Sequence, residues 1–135
     1  MTAGVVLDAS AVIEYLLGTT RGDAVRDRIA ERGQSLHAPH LLDVEVAHIL
    51  RRYVLAGDLL NERGRDALRD LVDLDIRRYP HDVLLSRVWE LRASVTAYDA
   101  VYLALAEALD APLVTADRRL ASAPGHSAVI LVIPG

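Results

Sequence analysis

The 135-residue sequence contains no cysteine, no lysine and no phenylalanine, and each gap removes a class of function. Without cysteine there is neither a disulfide framework nor a thiolate metal site, and the reducing cytoplasm is the expected setting. Without lysine, all 15 basic residues are arginine. A P-loop needs its lysine on the phosphates, and neither GxxxxGKS/T nor GxGxxG occurs. Receiver domains and haloacid-dehalogenase-type phosphatases combine their aspartates with a lysine, so those acid-rich α/β classes lose their cation. Aromatic residues make up 4%, with a single tryptophan, too few for the extended stacking surface of a single-strand binder. No apolar run is long enough to cross a bilayer. The N-terminal stretch MTAGVVLDASAVIEYLLG has no basic leader and carries Asp8 and Glu14 inside its apolar run, so neither a signal peptide nor a membrane contact is expected.

What remains is 52% hydrophobic, enough for one core in one domain spanning 1–135. GVVLDAS reads as a buried strand running into a loop, and AVIEYLLG as a helix stopped by Gly18. RGDAVRDRIAERG is a charged surface helix ended by Gly33. SLHAP is a short strand, LLDVEVAHILRRYVLAG an apolar helix ending at Gly57, and LNERGRDALRDLVD an amphipathic helix interrupted by Gly64. LDIRRYP is a strand and HDVLLSRVWELRAS a helix. TAYDAVYLALAEALD is a helix apolar on nearly every side, and APLVT a strand. A loop at 121–127 leads to a final strand, AVILVI. Continuously apolar strands separated by helices predict a three-layer α/β/α domain with five short, mainly parallel strands.

In such sheets ligands bind outside the carboxyl ends of the strands, where the strand order reverses. Asp8 and Asp117 stand at or just past two such ends, and Asp99 lies in the first turn of a helix. Glu45 sits between Val44 and Val46 early in the most apolar middle helix. Buried carboxylates are costly unless paired or bound to a metal. Each has an ordinary alternative: Asp8 and Asp117 as helix caps or turn residues, Asp99 as the partner of Thr96 in a capping box. Glu45 is harder to place, because Glu is seldom buried; Asp43 fits a first-turn acid favoured by the helix dipole. Ser10 and Thr115 place hydroxyls two residues from Asp8 and Asp117. His37, His40 and His48 are close in sequence but form no HExxH pair. The acidic set suits a hard cation, Mg²⁺ with Mn²⁺ as substitute, held through oxygen.

VVLDASAVIEYLL, HLLDVEVAHILRR and TAYDAVYLALAEALDAPLVTADRRL together resemble the PIN-domain ribonucleases, most closely the VapC toxins of bacterial toxin–antitoxin pairs. The resemblance runs from Val5 to the last strand. Its most specific part is T-x-x-D-A-x-Y-L-A-L-A followed by P-L-V-T-x-D. It implies a PIN-like fold, an acidic quartet at Asp8, Glu45, Asp99 and Asp117, and accessory hydroxyls at Ser10 and Thr115. One departure is His48, where many relatives carry Asn. The implied reaction is Mg²⁺-dependent hydrolysis of RNA phosphodiesters, leaving 5′-phosphate and 3′-hydroxyl ends. Asp8 and Asp99 are then direct metal ligands, with Glu45 and Asp117 holding a second ion or orienting water.

The implied partners are RNA, a VapB-type antitoxin and a second copy of the chain, with surplus apolar surface on helices 11–17 and 41–56 serving the protein interfaces. Two other classes fit less well: a PIN-like module that binds RNA or antitoxin without cutting, and a metal-dependent phosphatase acting on small esters. The net charge of −4 is unusual for an RNA enzyme. Setting the quartet aside, however, leaves 15 acids against 15 arginines. Arg51, Arg52, Arg118 and Arg119 are the candidates for phosphate contacts.

Overall fold

The computed structural model describes residues 3–30 and 34–134. Five strands, β1 (Ala3–Leu7), β2 (Gln34–Pro39), β3 (Ile76–Tyr79), β4 (Leu113–Thr115) and β5 (Ile130–Val132), form one sheet. Its order is β3-β2-β1-β4-β5 and every pairing is parallel. The helices among the described residues are α1 (Ala9–Leu16), α2 (Thr20–Ile29), α3 (Leu41–Leu55), α4 (Asn61–Asp73), α5 (Leu85–Glu90), α6 (Ala97–Leu109) and α7 (Arg118–Ser122). Helices α1 to α4 pack on one another and α5 packs on α6, giving the expected three layers.

Chain order explains where the site must be. From β1 the chain moves outward to β2 and β3, then returns to lay β4 on the other flank of β1. Val6 lies beside His37 of β2, and Leu7 beside Val114 of β4. The order therefore reverses between β1 and β4, and a crevice opens past their carboxyl ends. Val5, Val6 and Leu7 are all buried, as a strand covered on both faces requires. Every residue of α6 from Ala100 to Ala106 is buried too, so this helix is walled in on all sides.

Several boundaries differ from the sequence reading. Strand β1 stops at Leu7 and α1 begins at Ala9, because Asp8 already caps the helix. Gly64 does not interrupt α4. It lies inside the helix, where a Cβ would come 3.3 Å from Val54 Cγ2. The segment 81–94 is not one helix but a 3₁₀ turn at Asp82–Leu84, the short α5 and turns beyond it. The loop expected at 121–127 begins with the end of α7, and the last strand contracts to three residues. The expected end of α2 at Gly33 lies outside the described residues.

Two contacts lock helices that flank the crevice. Thr19 caps α2 by accepting from Gly22 N–H at 3.0 Å, and Gly22 is pressed on the backbone of α1: a Cβ there would stand 2.1 Å from the Glu14 carbonyl oxygen. Gly22→Ala should therefore cost about 3 kcal/mol, the upper end of overpacking. Gly64→Ala should stay within about 1 kcal/mol of wild type because the helix propensity of Ala offsets a movable methyl contact. Denaturant midpoints of the two variants check this contrast.

The second lock is Glu107 on α6, which accepts from Arg87 Nε at 2.8 Å, Arg87 Nη2 at 3.0 Å and Ser127 N–H at 2.7 Å. The Arg87 hydrogen bonds hold its carboxyl at about 2, against an ordinary value of 4.5. The folded form thus favours the carboxylate. That stability is present above the unfolded value and is lost as pH falls from 4.5 toward about 2. Glu107→Gln should remove about 1–2 kcal/mol of this acid-limb dependence, the range allowing for the solvent exposure of Arg87. Unfolding free energies measured across this pH interval test it.

Candidate active site

Three helix starts converge on the crevice, and each is made by the local sequence. Asp8 ends β1 and caps α1, its Oδ1 accepting from Ala11 N–H at 3.0 Å. Thr96 caps α6 by accepting from Asp99 N–H at 3.2 Å, which leaves Asp99 in the first turn. Asp117 follows β4 and caps α7, accepting from Arg119 N–H at 3.0 Å. Asp8 and Asp117 are therefore helix caps, as in their ordinary reading, while at α6 the cap is Thr96 and Asp99 is a first-turn acid; these placements coincide with a clustering of acids. Positive helix ends partly offset the negative charges brought there.

Asp8 is 7% exposed and the best supplied of the four. Ser10 donates to its Oδ1 at 2.7 Å and Thr115 to its Oδ2 at 2.5 Å. Those hydroxyls are themselves organised: Ala116 N–H donates to Ser10 Oγ at 2.9 Å, and Asp117 N–H to Thr115 Oγ1 at 3.0 Å. Both expected accessory residues thus serve Asp8, and Thr115 links it to the turn that carries Asp117. Burial pushes the Asp8 carboxyl up despite these hydrogen bonds, and the charge of Asp99 adds to the rise.

Glu45 is half-buried. Its neighbour Val44 is 68% exposed, while Val46 is fully buried, so the helix turns Glu45 along the edge of the core rather than into it. Tyr102, at 2% exposure, donates to Glu45 Oε1 at 2.6 Å. Burial raises the Glu45 carboxyl, the Tyr102 hydrogen bond opposes this, and Asp8 and Asp99 push it further up. The Tyr102 hydroxyl is pushed up by burial and by Glu45, so it stays protonated and donates. Asp99 is raised by burial and then by Asp117, with Arg119 and Thr96 acting the other way. Asp117 is lowered, chiefly by Arg119, whose Nε and Nη2 each stand 3.2 Å from its carboxylate oxygens. Asp99 thus acts on Asp8 and Glu45, Asp8 on Glu45, and Asp117 on Asp99, which links the four expected acids as a chain of like charges.

Tyr102, Arg21 and Glu14 were not among the sequence candidates. Tyr102 had a signal: three residues after Asp99, it shares that helix face. Glu14 likewise follows Ser10 by four and lines a neighbouring hollow with Ser10, Arg52 and Asp117. Thr19 donates to Glu14, and Arg21 reaches it at 3.8 Å while donating to the Ala116 carbonyl at 2.8 Å. Asp43 has a structural role, paired with Arg78 through contacts of 2.8–3.0 Å. The histidines do not gather. His37 bonds Ser35 and Tyr79, His40 stands edge-on to His81, and His48 is exposed. Of the expected phosphate-binding arginines, Arg51, Arg52 and Arg118 are exposed, whereas Arg119 engages Asp117.

The donor set is all oxygen, four carboxylates and two hydroxyls, with an excess of negative charge. That fits a hard divalent cation in type and sign. Among the described residues no three carboxylates or imidazoles already stand close enough to enclose an ion. A cation entering here would compete with Arg119 for Asp117 and with Tyr102 for Glu45.

Comparison with known proteins agrees with this architecture. The PIN domain family model matches residues 5–125. Ribonuclease VapC1 of Mycobacterium tuberculosis is 49% identical over 121 residues, covering 89% of this chain and 90% of that protein. Ribonuclease VapC9 of the same species is 45% identical over 130 residues, covering 96% and 98%. In three dimensions the chain resembles the crystal structure of VapBC2 from Rickettsia felis bound to promoter DNA, with a TM-score of 0.73 at 12% identity, covering 97% of this chain and 99% of that one. At that identity the likeness is one of fold.

The charge crowding has a measurable consequence. Because Asp99 carries a carboxylate that burial and Asp117 both disfavour, Asp99→Asn should raise the melting temperature of the metal-free protein. The Thr96 cap survives, since it uses the Asp99 backbone N–H. Mg²⁺ or Mn²⁺ should stabilise wild type by about 2.7 kcal/mol at roughly 100 times its dissociation constant, and the variant much less. Thermal melts in EDTA and across a metal titration decide the point; a variant that melts lower in EDTA and gains equally from metal would make Asp99 a helix-start residue only.

Proposed function

This chain belongs to the PIN-domain family and to its VapC ribonucleases, and on that premise we propose that it is a metal-dependent endoribonuclease toxin acting through Asp8, Glu45, Asp99 and Asp117. The observation that carries the reading is the convergence of these four acids at the carboxyl edge where β1 meets β4. A bound Mg²⁺, or Mn²⁺ in its place, supplies charge to the phosphoryl oxygens and acidifies an attacking water.

The chain's own residues do the rest. Asp8 and Asp99 would be the direct ligands, and Glu45 and Asp117 would hold a second ion or orient the water. Ser10 and Thr115 fix both oxygens of Asp8, so its direction is set before any ion arrives. Tyr102 does the same for one oxygen of Glu45. Arg119 neutralises Asp117 in the resting site and lies where a phosphate would approach.

The partners follow from the same premise: RNA as substrate and a VapB-type antitoxin as inhibitor in the cytosol, with a second copy as dimer partner. Helix α1 spends Val12, Ile13 and Leu16 in the core, whereas α3 leaves Val44 68% and Leu55 69% exposed for such contacts. Harmless expression of the active enzyme, with no antitoxin gene beside its own, would count against the toxin role.

Cleavage of a labelled RNA pool should require Mg²⁺ and stop in EDTA. Asp8→Asn and Asp99→Asn should each lower it by more than the roughly 10- to 100-fold expected of an outer-shell change, with the fold intact. Near wild-type cutting by both folded variants would refute the assignment.

A further inference from the structure

Beside Asp99 and Asp117 the crevice continues as a groove of about 580 Å³ whose lining includes Arg92, Thr96 and Arg119. That volume is in the range of sites for small ligands or single nucleotides, about 300–1,000 Å³. Its lining holds two arginines beside the two carboxylates, and one of the arginines is left to meet a phosphate. Arg119 engages Asp117, but Arg92 has no carboxylate partner among the described residues; its hydrogen bond goes to the Trp89 carbonyl at 2.9 Å. The Arg92 guanidinium carbon sits 4.7 Å from the centroid of the Trp89 ring. That ring, the only tryptophan in the chain, is 67% exposed. Tryptophan is mostly buried in folded proteins, so a solvent-facing ring stacked on a groove-lining arginine asks for an explanation.

We propose that this groove seats one unpaired nucleotide flanking the cleaved phosphate, with Arg92 of its lining, and the exposed Trp89 ring that packs on that guanidinium from outside the lining, as the stacking surface. The inference rests on the ribonuclease reading and adds what that reading leaves open, namely how a site with few aromatics selects its RNA. A base already stacked in a duplex cannot also lie on an indole or a guanidinium plane. A base in a loop can, and every base has a face to offer. The seat therefore selects unpaired over paired RNA at the cleavage point and is tolerant of base identity. Arg92 serves both parts, its charge toward the phosphate and its plane toward the base. Arg92, Asp99 and Asp117 line the same groove, so a nucleotide seated there lies in the groove that also holds the acids of the reacting site.

Because Trp89 is the only tryptophan, its fluorescence reports the contact directly. The titrant is an RNA stem-loop whose loop holds all four bases, compared with a fully paired duplex of the same length, both in EDTA so that nothing is cut. The stem-loop should quench Trp89 and the duplex should not. Trp89→Ala, at an exposed position, should keep the wild-type melting temperature and weaken stem-loop binding, read by labelled-RNA anisotropy, by about 5- to 150-fold. Trp89→Phe should recover most of the loss.

Equal quenching by duplex, or unchanged binding by Trp89→Ala, overturns the seat. So does a fluorescence change that follows protein concentration without RNA, which would assign the ring to a contact between copies. A stem-loop that leaves Trp89 untouched while wild type still cuts RNA in Mg²⁺ overturns the seat alone. If no RNA is bound or cut, the ribonuclease reading falls with it.

Discussion

A carboxylate with 7% of its surface exposed must be supplied with hydrogen bonds or become neutral, and the supply line of Asp8 organises the carboxyl edge of the sheet. Ser10 reaches it from the first turn of α1, and Thr115 from the end of β4. Ala116 N–H and Asp117 N–H then bond those same hydroxyls. One network therefore fixes the start of α1, the end of β4 and the turn bearing Asp117. The bonds that satisfy the acid thus also tie β1 to β4 beyond their backbone ladder. Replacing either hydroxyl would leave a buried oxygen without its donor, a loss felt in the fold as well as the site.

The network sits in a frame that brings acids together and then restrains them. Asp8, Asp99 and Asp117 each stand at a helix start, where a carboxylate is favoured by the dipole and by capping. Left alone, each would be an ordinary stabilising residue. Bringing three such starts to one crevice converts three favourable placements into a set of repelling charges. Burial and like charge raise Asp8, Glu45 and Asp99. Asp117 escapes because Arg119 lies against it. The resting site is therefore compensated at one corner and strained at the others, which is the condition a divalent cation relieves.

The sequence made the acids legible because strand ends and first turns are positions that local patterns reveal. Asp8 and Asp117 follow apolar runs, and Thr96 with Asp99 has the spacing of a helix start. Ser10 and Thr115 were visible as hydroxyls, although their common target, Asp8, was not. It depends on β4 lying beside β1, a pairing set over a separation of more than a hundred residues. Tyr102 was hidden for a related reason. Within a helix buried on all sides, a tyrosine reads as core, and only the folded chain shows that its hydroxyl meets Glu45 of α3. Segment 81–94 misled because its apolar residues suit a helix, while the structure breaks it into turns around Leu91, whose amide bonds both Arg87 and Val88 carbonyls.

Charge economy links this fold to the substrate proposed for it. With no lysine, every cation is an arginine, and several are occupied by the structure: Arg78 on Asp43, Arg87 on Glu107, Arg63 on the Leu16 carbonyl and Arg21 on the Ala116 carbonyl. A planar guanidinium with five donors suits such fixed bridging better than an ammonium does. Arginines spent on carboxylates and carbonyls cannot also form a broad basic face, and a chain with net charge −4 has little long-range pull on a polyanion. On the proposed reading, selection of RNA would then come from short-range contacts at the crevice. The groove shared by Asp99, Asp117, Arg92 and Arg119 offers them within one small volume. A ribonuclease built in this way would recognise the shape of a strand at the point of cutting rather than gather nucleic acid at large.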